Sequence, residues 1–265
     1  MIKILQEQLN TALDIVKQGL PGSHSVLPIL KNALIDFGTD GMVTLTTNDL
    51  ETIVQYQIGC KAEGKPFATC VPCKVLSEAV DLFHDDIVEV WQWKKEKQLM
   101  TSFKCNNQTL NFNSNDPADY PPVPKVEGQS IELYDLADTI KKVKDLITDT
   151  KGSRYNHQTT EGLLFDFDKG LIVATDRNRM KVTHLNTTQN GLKFRISKKA
   201  ATLLLKCKDT VKITYQPEAD KRSAMVKFES GNMTIIALDL ESKYKFPDYQ
   251  SIMAKEENKE LVTIY

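Results

Sequence analysis

The sequence predicts an α+β fold built from two copies of one module, each with two helices packed on antiparallel sheets. The chain has 265 residues, more than one compact domain usually contains. Its composition is that of a globular protein, with 41% apolar and 26% charged residues. A strand–turn–strand pattern also occurs twice, roughly 130 positions apart. Size, composition and repeat together indicate two folded modules.

The repeated pattern is a pair of apolar, strand-like runs joined by a turn that contains a glycine. The first copy covers residues 33–49 with Gly41 in the turn, and the second covers 163–176 with Gly170. Because the elements around the two copies also recur in the same order, the repeat favours a duplicated module over two unrelated domains.

Each half contains two predicted helices, recognised by apolar residues spaced three and four apart. In the first half these spacings predict helices over 9–20 and 76–83. The counterparts in the second half are predicted over 133–147 and 196–207. Further strands are predicted from alternating apolar and polar residues, at 54–58, 67–69, 110–112, 211–215 and 224–228.

The boundary between the modules is predicted near residues 125–129, where prolines and Gly128 interrupt the pattern. Module one is expected to cover 1–126 and module two 129–253. Residues 254–265 are interpreted as a linker-like tail or as the start of a further module.

Charge, hydropathy and cysteine content narrow the class of protein. The 34 basic and 35 acidic residues give a net charge of −1, which argues against indiscriminate binding of polyanions. No apolar run is long enough to cross a membrane, and the N-terminus lacks the pattern of a signal peptide. Five cysteines form an odd number in a long chain. We therefore expect a reduced, cytoplasmic protein.

Two motifs could support chemistry, and both have a simpler structural interpretation. Cys70 and Cys73 form a C-x-x-C pair, which occurs in redox and zinc sites. The pair lies at the start of a predicted helix without a second pair to complete a zinc site, so two structural thiols are favoured. The repeated aspartates suggest either a magnesium-dependent nuclease or turn formation in each module, and they are Asp36, Asp49, Asp166 and Asp176. We expect no metal and no cofactor.

Several strings, in order, resemble the bacterial DNA polymerase III beta subunit family, the sliding clamps. The first module contributes Val26-Leu-Pro-Ile-Leu-Lys-Asn32 and Thr47-Asn-Asp-Leu-Glu51. The second contributes Ala174-Thr-Asp-Arg-Asn-Arg-Met180 and Lys245-Phe-Pro-Asp-Tyr249. The resemblance covers residues 1–253. It implies a non-catalytic ring that encircles duplex DNA and tethers a DNA polymerase. It also implies that a clamp loader and other partners bind the ring through short peptides. Since such rings contain six modules, two complete modules per chain would imply a trimer.

The resemblance implies that the helices face DNA, and their charges can be compared with that expectation. The segment 193–208 has six basic residues and no acidic one, although such a run is more often a solvated face. The residues that we expect to contact DNA are His24, Lys74, Lys141, Lys142, Lys144, Lys151, Lys198, Lys199, Lys206 and Lys208. The helices of module one carry acidic residues as well, so its contribution is expected to be weaker.

The resemblance also implies a pocket for partner peptides in module two. Carried over by matching position, its lining would be Arg154, Thr175, Arg177, Asn178, Arg179, Met180, Pro247 and Ile252. Apolar walls with a few polar groups suit a short peptide anchored by an apolar side chain. Arg177 and Asn178 replace the Gly-His of the family motif, which leaves the identity of the peptide open. Two alternatives remain: a magnesium-dependent nucleic-acid enzyme, or a clamp-like protein that binds partners without forming a ring.

Overall fold

A computed structural model describes residues 1–22, 27–38, 40–84, 86–149, 158–208, 210–219, 222–251 and 253. We use module one for the elements up to Asn113 and module two for those from Gln129 onward. The helices of module one are α1 (Gln6–Val16) and α2 (Cys73–Asp81). Its strands are β1 (Ile2–Leu5), β2 (Asn32–Phe37), β3 (Met42–Asn48), β4 (Thr52–Gly59), β5 (Lys61–Ala62), β6 (Phe67–Pro72), β7 (Ile87–Lys95), β8 (Gln98–Cys105) and β9 (Gln108–Asn113).

Module two follows the same plan. Its strands are β10 (Gln129–Leu133), β11 (Leu163–Asp166), β12 (Leu171–Thr175), β13 (Met180–His184), β14 (Lys193–Ile196), β15 (Val211–Gln216), β16 (Met225–Ser230) and β17 (Met233–Leu238). Its helices are α3 (Leu136–Lys141), α4 (Lys198–Leu204) and the short α5 (Leu240–Lys243).

The strand order confirms the duplication. Module one has the orders β5-β1-β7-β8-β9 and β4-β3-β2-β6, and all of its pairs are antiparallel. Module two has β10-β15-β16-β17 and β13-β12-β11-β14. Apart from β5, the two modules correspond strand for strand. The predicted α+β fold with two repeated modules is therefore correct.

The two modules share one sheet. β17 of module two pairs with β4 of module one, so that two four-stranded sheets become one of eight strands. The pairing is antiparallel and places Met233 opposite Tyr56 and Ala237 opposite Thr52. We call this contact the internal joint. Ile235 and Val54 face each other there and are fully buried, so the joint is part of the hydrophobic core.

The helices lie in a continuous row. α1 packs on α2 and on β4, and its buried stripe consists of Leu9, Leu13 and Val16. α3 packs on α4, and α4 contacts the 3₁₀ turn Lys17–Gly19 that follows α1. The resulting order is α2, α1, α4, α3, with one core beneath all four helices.

One predicted helix is wrong in extent. The spacing predicts a helix over 133–147, but Leu133 lies on β10 opposite Val211, and α3 ends at Lys141. A separate 3₁₀ turn follows at Lys144–Leu146, with Val143 as its N-cap. The apolar spacing predicted which residues are buried, but strand pairing and the early break decided how much of the segment is helical.

The fourth helix is also shorter than predicted. Ile196 is the last residue of β14, and Ser197 caps α4 by accepting a hydrogen bond from the Ala200 N–H at 3.2 Å. Cys207 lies beyond the helix but remains buried. Of the basic run at 193–208, Lys198 and Lys199 are therefore the members on the helix itself.

Candidate functional site

Five lysines form an exposed basic surface on module two. We call it the basic face, and its members are Lys142, Lys144, Lys198, Lys206 and Lys208. None of the five is ion-paired with a described residue. Of the other predicted DNA contacts on this module, Lys141 donates to Asp138 at 2.7 Å, which partly neutralises it.

The basic face borders a groove between the modules. The groove has a volume of about 620 Å³ and is lined by residues of α1, α3 and the segment after α4. Lys141, Lys206 and Lys208 line it together with Thr11 and Asp14 of α1. The fold thus brings together basic residues that are far apart in the sequence.

Lys199 has a different position from its neighbours. Its ammonium group forms an ion pair with the Asp49 carboxylate of module one and donates to the Leu20 carbonyl at 2.8 Å. Thr52 Oγ1 lies 3.3 Å from Ser197 Oγ in the same contact. The ammonium group of Lys199 therefore bridges the two modules, and its contact with DNA stays a prediction.

Module one offers few unpaired cations near its helices among the residues that the structure describes. Lys3 lies 3.8 Å from both Glu63 and Glu89, and Lys17 is paired with Asp14. Lys74, the second residue of α2, is exposed. His24 and Lys151, two other predicted DNA contacts, lie outside the described residues.

Arg195 was counted within the basic run, but its side chain is fully buried. One terminal nitrogen donates to the carbonyls of Gln158 and Glu161, both at 2.7 Å. The other donates to the carbonyls of Leu240 at 3.2 Å and of Tyr244. Arg195 thus connects the segments 158–161 and 240–244, which are distant in the sequence. Because its guanidinium is buried between them, its charge is not available to a ligand.

An acidic residue completes the Arg195 network. Glu241 Oε2 lies 3.5 Å from Arg195 Nε and accepts a hydrogen bond from the Phe246 N–H at 2.8 Å. The Arg195 guanidinium also lies 5.8 Å from the centre of the Phe246 ring. This role was not predicted from the sequence, because nothing in the residues around Arg195 distinguishes a buried arginine from an exposed one.

The predicted peptide pocket begins at the loop between β12 and β13. Thr175 is buried, and its hydroxyl donates to the Arg179 carbonyl at 2.8 Å and accepts from the Arg177 N–H at 3.0 Å. Arg177 has φ 80°, a left-handed conformation. The side chains of Arg177, Asn178 and Arg179 are exposed. Thr175 therefore shapes the loop, and Arg179 is held at the surface by the Asp176 carboxylate, at 2.8 and 3.0 Å.

An apolar cluster connects this loop with the closing segment of module two. Met180 packs against Leu164, Val173, Phe246 and Tyr249. Pro247, exposed between the two aromatic residues, lines a groove of about 400 Å³. Met180 and Phe246 thus belong to one apolar cluster, whereas the groove beside Pro247 is lined mostly by charged side chains. Arg154 and Ile252, the remaining predicted pocket residues, lie outside the described part of the chain.

The two C-x-x-C cysteines are buried. Cys70 packs with Leu30 and Tyr120, and Cys73 begins α2. Burial raises the pKa of each thiol to about 12, so neither is a thiolate at neutral pH. This environment supports the structural interpretation. No cluster of three or more potential metal ligands occurs in the described residues.

We expect Cys70 and Cys73 to be alkylated more slowly than Cys60. Cys60 is half-buried, whereas Cys70 and Cys73 are fully buried with a raised pKa, so iodoacetamide at pH 8 should modify Cys60 first. Peptide mass spectrometry of the folded protein measures the order. Modification of Cys70 as fast as Cys60 would contradict the structural interpretation, and unfolding in urea should make the thiols equally reactive.

Three of the repeated aspartates shape turns. Asp49 Oδ1 accepts the Glu51 and Thr52 N–H groups at 3.1 and 2.7 Å. Asp176 Oδ1 accepts the Asn178 and Arg179 N–H groups at 3.1 and 2.7 Å. Asp166 accepts from the Lys169 N–H at 3.2 Å and from the Tyr249 hydroxyl at 2.8 Å. These bonds support the turn interpretation over a carboxylate metal site.

No helix among the described residues is both long and apolar enough to cross a membrane.

Comparison with known proteins identifies relatives in sequence and in fold. Residues 1–124 match the family model of the DNA polymerase III beta subunit, N-terminal domain. The beta sliding clamp of Halalkalibacterium halodurans is 25% identical over 190 residues, which are 66% of this chain and 47% of that protein. The chain thus spans about half the length of this curated relative.

Solved structures show the same fold over nearly the whole chain. The DNA polymerase III beta subunit of Pseudomonas aeruginosa has a TM-score of 0.80 at 19% identity, over 97% of this chain and 69% of its own. The Helicobacter pylori beta clamp bound to a DNA ligase peptide has a TM-score of 0.75 at 17% identity, over 97% of this chain and 69% of that chain. At these identities the likeness establishes the fold.

Proposed function

Since residues 1–124 match the family model of the DNA polymerase III beta subunit, N-terminal domain, and the chain has the fold of solved sliding clamps, we propose that it encircles duplex DNA and tethers a replicative polymerase and other partners there. The observation that carries the proposal is the duplicated module. One sheet of each module joins the other at the internal joint, and the four helices lie in one row above this core. A tether of this kind raises the effective concentration of the polymerase at its template.

The basic face supports contact with DNA. Its five exposed lysines lie at or near α3 and α4, in the row of helices that would line the ring. Lysines bind phosphates without reading the bases, which is what a protein that slides along DNA requires. The net charge of −1 is compatible with this role because acidic residues elsewhere offset the basic face.

The apolar cluster that includes Met180 and Phe246, beside the exposed loop between β12 and β13, supports binding of partner peptides, and the Helicobacter pylori relative was solved with a DNA ligase peptide. We place a polymerase and a clamp loader among the partners of this chain. The family that residues 1–124 match is one of non-catalytic clamp subunits, which supports a role other than that of an enzyme and disfavours the nuclease alternative. We also propose a cytoplasmic location, consistent with five free cysteines.

We propose module boundaries at residues 1–126 and 129–253, with a ring assembled from several copies of the chain. Three copies of two modules supply the six modules of a clamp ring. The segment 254–265 lies outside the described residues.

The ring predicts a topological attachment to DNA. Protein bound to a nicked circular plasmid should co-elute with it in gel filtration and should be released when the plasmid is cut once. Release occurs because a ring slides off a free end, whereas a protein held by contacts alone stays bound. Equal retention on circular and linear DNA would overturn the proposal and leave the alternative of a clamp-like protein that forms no ring.

The same assay can test the basic face. Lys206→Glu combined with Lys208→Glu should reduce retention on the circle and make it less dependent on salt, since fewer counterions are released. Lys94→Glu combined with Lys95→Glu is a matched control, because these lysines are exposed on β7, away from the helix row. An equal loss in both double variants would exclude a specific role of the basic face.

A further inference from the structure

A row of two tryptophans and a lysine lies on the outer face of the five-stranded sheet of module one. That sheet has the order β5-β1-β7-β8-β9. Val88 and Val90 of β7 are fully buried in the core. Because alternate residues of a strand point to opposite faces, Trp91, Trp93 and Lys95 lie on the other face, one after another along β7. Neighbours in this row are about 7 Å apart.

Both indole rings lie against the sheet. Trp91 is opposite Ser102 of β8, and Trp93 is opposite Met100. These two partners are only 0% and 8% exposed although they lie on the outer face, so the indoles cover them. The indole N–H of Trp93 donates to Ser102 Oγ at 2.8 Å, and Ser102 donates to Asn111 Oδ1 of β9 at 2.6 Å. The ring of Trp93 is therefore fixed across the sheet, and Trp93 remains 38% exposed.

The two tryptophans belong to rows that cross three strands. Ser102 and Met100 are opposite Asn111 and Asn113 of β9, and both asparagines are exposed. Each row thus offers an aromatic face together with an amide, which can donate to and accept from the edge of a base. An unpaired nucleobase is bound by these two kinds of contact, stacking on its face and hydrogen bonds at its edge. The hydrogen bond that holds Trp93 also lowers the entropy lost on stacking.

The turn that follows the tryptophans is basic. Residues 94–97 are three lysines and Glu96, and all four are exposed. None of these lysines is ion-paired with a described residue. The acidic residues Glu63 and Glu89 lie toward the other end of the sheet, where each is 3.8 Å from Lys3. The charge near the two indoles therefore favours an anionic ligand, and phosphate is the anion that accompanies bases.

The orientation of the indoles distinguishes this surface from a membrane-binding one. Tryptophans that anchor a protein to lipid place an apolar ring among the acyl chains. Trp93 instead lies on the sheet with its N–H bonded to Ser102, and exposed asparagines follow in both rows. A ring held in this way presents its face. The face of a base is accessible only where the base is unpaired, which favours a single strand over a duplex.

We propose that this outer face of module one binds single-stranded nucleic acid. Two successive bases stack on Trp91 and Trp93, and the phosphates that follow contact Lys95 and Lys97 at the turn. The site goes beyond the proposed function, because it takes a single strand and lies on the side of the sheet turned away from the core beneath the helices. It shares no residue with the basic face, which belongs to module two.

Intrinsic fluorescence reports on this site alone, because the chain contains two tryptophans and both belong to it. Titration with an oligothymidylate of about 12 nucleotides should quench the emission until the site is saturated, since stacked bases quench indole fluorescence. The same oligonucleotide annealed to its complement should quench much less. No saturable quenching by the single strand would overturn the proposal, and equal quenching by the duplex would overturn the preference for a single strand.

Two replacements of Trp93 separate stacking from a general effect on the sheet. Trp93→Leu should raise the apparent dissociation constant of the oligothymidylate about tenfold or more, whereas Trp93→Phe should bind more tightly than Trp93→Leu. Both variants lose the bond to Ser102, so their difference isolates the aromatic face. Trp91 remains as the fluorophore in each, and circular dichroism confirms folding. Equal dissociation constants for the two variants would exclude stacking on this residue.

Charge reversal at the turn tests the phosphate contacts without changing the tryptophans. Lys94→Glu combined with Lys95→Glu should weaken quenching by the oligothymidylate about tenfold or more and make it less dependent on salt. The same variant should still stay on circular duplex DNA. Lys206→Glu combined with Lys208→Glu should show the reverse, with quenching kept and retention on the circle reduced. Loss of quenching in both double variants alike would overturn a separate site on module one.

Lipid vesicles test the competing occupant of the same face. Vesicles of phosphatidylcholine and phosphatidylserine should leave the emission maximum of the tryptophans unchanged. A shift of the maximum to shorter wavelength with vesicles, without quenching by the oligothymidylate, would assign the face to a membrane surface and overturn the proposal. The two assays also fail separately: quenching without retention on circular DNA contradicts the proposed ring alone, and retention without quenching contradicts this site alone.

Discussion

Replacing Arg195 with alanine should lower the free energy of unfolding by about 3–5 kcal/mol. The side chain is fully buried, and it serves four backbone carbonyls and the carboxylate of Glu241. Its removal leaves these acceptors without a donor and Glu241 without its cation. The contact between the segments 158–161 and 240–244 should be lost first, because backbone carbonyls of both segments accept hydrogen bonds from Arg195.

Lys193→Ala is the matched control for this variant. Lys193 lies two residues earlier on β14, is partly exposed, and sits 3.7 Å from Asp166. Its loss should cost roughly 1 kcal/mol or less. Urea unfolding followed by circular dichroism, at one fixed protein concentration, compares the two. Equal effects would show that the buried network contributes no more than a surface pair.

Asp49→Ala should destabilise the protein more than Asp176→Ala, by about 1.5–3 kcal/mol. Both variants lose the same two backbone hydrogen bonds within an equivalent loop. Asp49 additionally loses its bond to Lys199, which joins the modules, whereas the partner of Asp176 is the exposed Arg179. The difference between the two variants therefore isolates the bridge between modules.

A double-mutant cycle checks the origin of that difference. Lys199→Met keeps the length of the side chain and removes its charge, so Asp49→Ala should cost less in this background than in the parent protein. Urea unfolding of the four proteins gives the coupling free energy. Strict additivity would mean that Asp49 acts through its loop alone and that its ion pair with Lys199 contributes no stability.

The fold was largely predictable because its signals are local. A strand alternates with period two and a helix repeats every 3.6 residues, so apolar positions such as Leu9, Leu13 and Ile140 reveal their burial in the sequence. Element ends were less predictable. Leu133 fits the helical spacing of Leu136 and Ile140, yet its backbone pairs with Val211. The spacing of apolar residues indicates which face of an element is buried, but it does not indicate which residues the backbone groups hydrogen-bond.

The site was predictable in part. Spacing and resemblance selected basic residues around α3 and α4, and five of them form an exposed face. They did not separate Lys198, which is exposed, from Lys199, which reaches Asp49 across the module boundary. Nor did they identify Arg195 as a buried residue. These distinctions depend on residues more than 30 positions away.

The sequence by itself determined that this protein consists of two α+β modules, since both the repeat and the apolar periodicity can be recognised from the order of residues alone. The tertiary structure alone decided which of the charged side chains are exposed and which are held in contacts between the modules. Lys199 has an acidic partner because the pairing of β4 with β17 brings the two modules together and places Asp49 beside α4. Such a contact is not visible in the sequence, because Asp49 and Lys199 lie in different modules and meet only in the folded chain.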